Sequence, residues 1–82
     1  MSPLHRTTVA VMSDLENAVA VSGRDLRGAR VRLGLRAADL AAVLQVSAER
    51  VRQMERRPLP SLRQIERYRV AIARAMETRG QR

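Results

Sequence analysis

Between Gly34 and Pro58 the chain has room for two helices of about eight residues each, and for a turn too short to hold anything else. Ala37–Leu44 carries an apolar stripe of Leu40, Ala41 and Leu44. Ala48–Arg56 carries Val51 and Met54, three apart on one helical face. Gln45, Val46 and Ser47 join the two, and Ser47 is placed to cap the second. Helices joined this tightly pack only if the residue at their closest approach is small, and Ala41 stands there. The core between them is expected to be Leu40, Leu44, Val46, Val51 and Met54. The opposite face of Ala48–Arg56 then carries Glu49, Arg50, Arg52, Gln53 and Arg56.

The flanks read as helices too. Ser22 is an N-cap with Asp25 three residues on, and Leu26, Ala29 and Leu33 recur on one face until Gly34 supplies a left-handed end. Helix one is therefore about Arg24–Leu33. Pro58 and Pro60 break the chain, and Ser61 with Gln64 forms a Ser-x-x-Gln capping box. Helix four, about Leu62–Thr78, is expected to bury Leu62, Ile65, Ile72 and Met76, with Tyr68 beside that stripe as a core or interface residue. The first 21 residues admit two readings: a hairpin pairing Thr7–Met12 with Ala18–Val21, or a helix over Asp14–Val21 capped by Ser13 and Glu16. Met12 is an alternative start. The expected architecture is all-α: a four- to five-helix bundle over residues 22–79, an arm over 1–21 and a frayed end at 80–82. Spacing and geometry in Ala41–Met54 are those of a helix-turn-helix.

Composition narrows the function. The chain has 82 residues and a net charge of +8; all sixteen basic residues are arginine, with no cysteine and one histidine, His5. One domain of this size buries roughly 60% of its unfolded surface. Disulfides, thiolate metal sites, histidine cages and cysteine nucleophiles are excluded, and neither a catalytic set nor a phosphate loop can be assembled. No metal, cofactor or enzyme activity is expected. The longest uncharged run, residues 40–48, is far short of the ~20 apolar residues that span a bilayer. Nor does the N-terminus hold a signal-peptide core, so a cytoplasmic, nucleoid-associated protein is expected. Residues 1–23 carry one arginine against two acids, and residues 24–82 carry fifteen against six. A small basic domain suits a polyanion, although an arginine-biased genome would also produce a solvated arginine surface.

Over Leu26–Glu55 the sequence resembles the lambda-repressor-like (XRE) helix-turn-helix family. The resemblance rests on Gly34-Leu35, Leu40-Ala41, Val46-Ser47 and Glu55. It departs from that pattern at Ala37, where the family often has Gln, and at Gln45 and Arg57, where it favours Gly. The resemblance implies a four- or five-helix bundle whose third helix enters the DNA major groove, usually as a dimer. Val46–Glu55, with Leu62-Arg63 after it, is also similar to the promoter-reading domain of sigma factors. There, residues matching Glu49, Arg52 and Gln53 face the promoter.

The chemistry of helix three supports DNA independently. An arginine fork matches guanine N7 and O6, Gln pairs with adenine, and Glu accepts from cytosine N4. Glu49, Arg52 and Gln53, with Ala48 beside them, are the expected base readers. Ser47, Arg50, Arg56, Arg57 and Arg36 are the expected phosphate contacts. Glu55 is expected to be structural, paired with an arginine of helix one or four. Most of Arg63, Arg67, Arg69 and Arg74 are expected to form a solvated face, with room for one to reach the DNA backbone. A homodimer would read a pseudo-palindromic double-stranded operator with half-sites ~34 Å apart, joined through Val70, Ala71, Val19 and Val21. The expected function is repression of a promoter. The competing reading is a protein-interaction module, either an antitoxin bound to its toxin or a sigma-like adaptor on RNA polymerase.

Overall fold

Local signals start and stop most of the helices that follow residue 21: α1 Gly23–Arg32, α2 Ala37–Leu44, α3 Ala48–Glu55 and α4 Leu62–Gly80. This computed structural model describes residues 9–11 and 21–80, and among these the chain is an all-helical small bundle without strands. At the start of α1 the Ser22 hydroxyl accepts the Asp25 N–H, and the Asp25 carboxylate accepts the Ser22 N–H, a full capping box. The same reciprocal pair joins Ser61 and Gln64 at α4. At α3 the Ser47 hydroxyl accepts the Arg50 N–H.

The C-terminal ends are equally local. Gly34 adopts φ 70, the Gly34 N–H donates to the Val31 carbonyl, and the Leu35 N–H donates to the Arg30 carbonyl. This is a Schellman closure, and it turns the chain from α1 into α2. At the end of α2, Gln45 takes the left-handed conformation at φ 58, while the Val46 N–H donates to the Ala41 carbonyl. The glycine that such a turn prefers is therefore replaced at a modest conformational cost, and the tight α2–α3 corner is still made.

α2 packs against α3 and α4, and α1 packs against the same two helices. Leu26, Ala29 and Leu33 from the α1 segment meet Leu40 and Ala41 of α2, Val51 of α3, and Tyr68, Ala71, Ile72, Ala75 and Met76 of α4. Ala41 is buried, as the close approach of α2 and α3 requires. Tyr68 is the largest side chain with no exposure at all.

Three packing expectations are corrected. Leu62 is 85% exposed, because the core begins one turn later: the buried face of α4 runs through Ile65, Tyr68, Ile72 and Ala75–Met76, with Tyr68 inside it. Val46 is exposed, and Leu44 and Met54 are only half-buried. The two-turn α3 brings Val51 alone to the centre, and Gln64 and Arg67 of α4 border the hollow beside Val46. Ala71 has no exposed surface; it sits inside the bundle and cannot join a dimer contact, whereas Val70 beside it is 41% exposed.

The N-terminal part differs from a hairpin where it is described. Val9, Ala10 and Val11 are helical, and Val11 is buried in the same core as Leu26 and Ile72. Val21 is half-buried against that core rather than free for a second subunit. Val19, His5, Met12 and the capping residues Ser13, Asp14 and Glu16 lie outside the described residues, as do positions 81 and 82.

Candidate nucleic-acid interface

The geometry of α3 follows from Val51. With that side chain sealed in the core, helical periodicity turns Glu49, Arg50, Arg52, Gln53 and Arg56 outward, and all five are exposed. Ala48 is the exception among the expected base readers. It lies three residues before Val51, shares its face, and is half-buried against the core.

The outer face is internally connected. The Arg56 guanidinium donates to Glu49 Oε1 at 2.6 Å, and Arg52 Nη1 stands 3.8 Å from Glu49 Oε2. The hydrogen bond from Arg56 and its charge hold the Glu49 carboxyl below its ordinary pKa, and Arg52 adds less. Arg50 makes only a long contact, 3.5 Å, to the Gln53 side-chain oxygen. Arg52 and Arg56 each keep donors unused by Glu49, so the face presents a row of guanidinium N–H groups around one carboxylate.

Arg36 stands at the N-cap of α2 with its side chain 82% exposed. Its backbone N–H donates to Asp39 Oδ2 at 2.7 Å, and that hydrogen bond is the main reason the Asp39 carboxyl sits below its ordinary value. The guanidinium lies 3.5 Å from Asp39 and reaches into solvent. Arg57 is exposed just past α3. The Ser47 oxygen already accepts one backbone N–H as the α3 cap, which leaves its O–H able to donate outward.

What holds this face in place was only half visible in the sequence. Glu55 is structural, as expected, and its arginine is Arg30 of α1. Arg30 Nε donates to Glu55 Oε2 at 2.7 Å and Arg30 Nη2 to Glu55 Oε1 at 3.0 Å, a bidentate pair. The Tyr68 hydroxyl donates to the same carboxylate, and Arg30 Nη1 donates to the Leu35 carbonyl. Burial first, then the hydrogen bond to Glu55, raise the Tyr68 phenol well above its ordinary pKa, while the Glu55 hydrogen bond raises Arg30. Arg30 follows Leu26 by four residues, so its place on the buried face of α1 was the available signal.

Gly23 was missed as well. Its N–H donates to the Arg57 carbonyl at 2.8 Å, and a Cβ there would lie 2.5 Å from the Glu55 carbonyl oxygen and 2.6 Å from that of Arg57. Only a glycine lets the start of α1 touch the end of α3 this closely.

Among the described residues no group of three or more His, Asp or Glu is placed to hold a metal ion, and no helix is long and apolar enough to cross a membrane. Compared with family models, curated proteins and solved structures, the chain gives no match.

Proposed function

We propose that the chain is a sequence-specific double-stranded DNA-binding regulator of the lambda-repressor-like helix-turn-helix kind. In this reading it is a cytoplasmic, nucleoid-associated homodimer that represses a promoter by steric block, that of its own operon or of a phage or mobile element. The observation that carries the reading is the outer face of α3. A short helix follows a three-residue turn, with its inner side locked by Val51 and its outer side given to Arg50, Arg52, Gln53 and Arg56 around Glu49. A helix of this width fits the major groove, and these side-chain types match base edges there.

Roles divide by position. Arg52 and Gln53, in the middle of the face, read bases, and Glu49 sets the orientation of Arg52 and Arg56. Arg50, Arg56, Arg57, Arg36 and the Ser47 hydroxyl meet phosphates on either side. The domain's role is binding rather than catalysis. Among the described residues, Val70 is the exposed member of the expected dimer contact.

One observation favours a second reading. Leu59 is 78% exposed and Leu62 85% exposed, close together after α3, which suits contact with a protein such as a toxin or RNA polymerase. The two readings separate in one experiment. Duplexes selected from a random pool are compared with random duplex over a salt series, followed by fluorescence anisotropy. DNA regulation gives a steep salt slope and a large preference for the selected sequence. Arg52→Ala then costs ~1–3 kcal/mol and relaxes specificity, whereas Arg57→Ala weakens all sequences alike. Equal binding of all duplexes at every salt concentration overturns the repressor reading.

A further inference from the structure

An open hollow of about 660 Å³ is bordered by Ser22, Arg24, Arg27, Arg56, Arg57 and Pro58, with Glu55 also lining it. Four arginines thus meet around one concavity where the start of α1 touches the end of α3. Arg24 and Arg27 are three apart and share a face of α1. Among the described residues, neither they nor Arg57 has an acidic side chain within ion-pair distance, and Arg56 is the member that also holds Glu49.

The nearby acids do not neutralise this cluster. The Glu55 carboxylate is turned to Arg30 and Tyr68. The Asp25 carboxylate is tied to the Ser22 N–H as the α1 cap. Nor does helix stability account for Arg24. It lies in the first turn of α1, where the helix dipole disfavours a cation and favours an anion. Three guanidinium groups with no acidic partner among the described residues are therefore gathered at a hollow, beside the positive end of the α1 dipole. A phosphate group relieves all of these at once.

We infer that the hollow formed by Arg24, Arg27, Arg56 and Arg57 seats a backbone phosphate of duplex DNA beside the bases met by α3. This deepens the DNA-binding reading and rests on it. Arg56 is shared by the hollow and the α3 face, which makes the two one continuous surface. The DNA footprint then extends past α3 onto the first two turns of α1, where no contact was expected from the sequence.

The test uses a random-sequence 20-base-pair duplex, because a phosphate contact is indifferent to sequence. Affinity is measured against salt for the wild-type chain, for Arg24→Gln/Arg27→Gln, and for the control Arg32→Gln/Arg74→Gln. The control removes the same charge from exposed positions, and Arg32 lies ~12 Å along α1 from Arg24. Thermal melts confirm that all three are folded. The expected result is a log–log salt slope shallower by up to ~0.9, one phosphate lost, for Arg24→Gln/Arg27→Gln, with a much smaller change in the control. Equal changes in both double variants, or none in the first, overturn the hollow while leaving the α3 reading intact. If Arg52→Ala also leaves every duplex affinity unchanged, the DNA-binding reading itself fails. Sodium tripolyphosphate is titrated separately, followed by backbone amide shifts. Saturation of Ser22–Arg27 at micromolar tripolyphosphate, with an unaltered duplex slope, makes the hollow a small-anion site and overturns the backbone assignment.

Discussion

Two arginine–glutamate contacts occupy opposite sides of the same short helix. On the inner side Arg30 holds Glu55 at 2.7 Å; on the outer side Arg56 holds Glu49 at 2.6 Å. By distance they are equivalent. The inner side chains are 11% and 3% exposed and the outer ones 62% and 56%. Inside, the partners have lost water and have only each other, Tyr68 and one carbonyl. Outside, water replaces either partner at once. Burial rather than length decides what each contact contributes. The inner cluster fixes where α3 sits, and the outer one is free to exchange its carboxylate for an incoming group.

The sharpest way to break this contrast is Glu55→Ala. It leaves Arg30 and Tyr68 buried without their acceptor and should cost about 3–5 kcal/mol in urea denaturation. Replacing Arg30 and Glu55 together by Met should recover most of that, since no charge is stranded. If the double variant is as unstable as the single, the pair is not acting as a charge pair. Tyr68→Phe removes one hydrogen bond to a carboxylate and should cost ~1.5–3 kcal/mol.

Gly23→Ala asks whether the backbone approach beside Glu55 matters. Helix propensity alone favours alanine by ~0.5–1 kcal/mol. The contacts at 2.5 and 2.6 Å are with backbone oxygens that cannot swing away, so a net loss of ~1–3 kcal/mol is expected from overpacking. A gain in melting temperature would show that α1 and α3 separate freely at that point.

Alkaline titration gives a smaller and unusually clean test. The chain has one tyrosine, no lysine and no cysteine, so Tyr68 is the one side chain with an ordinary pKa near 10. Its phenol holds its proton more tightly folded than unfolded. The associated stability is fully present below pH ~10 and is lost above it, at up to ~1.4 kcal/mol per pH unit. Absorbance at 295 nm should show no phenolate until the chain unfolds. Ionisation of the folded protein near pH 10 would place Tyr68 in solvent. Smallest of all, Glu49→Gln should leave the melting temperature unchanged within error. Its effect should appear in DNA sequence preference, because Arg52 and Arg56 lose the group that orients them.

How much of this was legible depended on how local each cause is. The starts of α1, α3 and α4 were readable to about one residue, because Ser22, Ser47 and Ser61 find their hydrogen-bond partners three positions away; the end of α4, expected at Thr78, lies two residues further on at Gly80. The outward face of α3 was readable because its one fully buried apolar position, Val51, fixes the rotation of a regular helix. Periodicity failed at Leu62 because it reports the direction of a side chain, not whether another helix is present to cover it. Gly23 and Arg30 were missed because their reasons lie some thirty and twenty-five residues away, in carbonyls and a carboxylate of the α3 end. Glu55 was placed by class but not by partner, and the arginine hollow was hidden because its members are shared between α1 and the end of α3.

The anchoring of α3 has a thermodynamic consequence. Ser47 secures its first turn, Val51 its middle, and Glu55 with the Gly23–Arg57 hydrogen bond its last turn. The backbone of this helix therefore has little freedom left to lose when something meets its outer side. The entropic cost of association falls on a few long arginine side chains, at ~0.5–1.5 kcal/mol for each one immobilised. Such a surface discriminates by shape and spacing, because it cannot bend to accommodate a poor match.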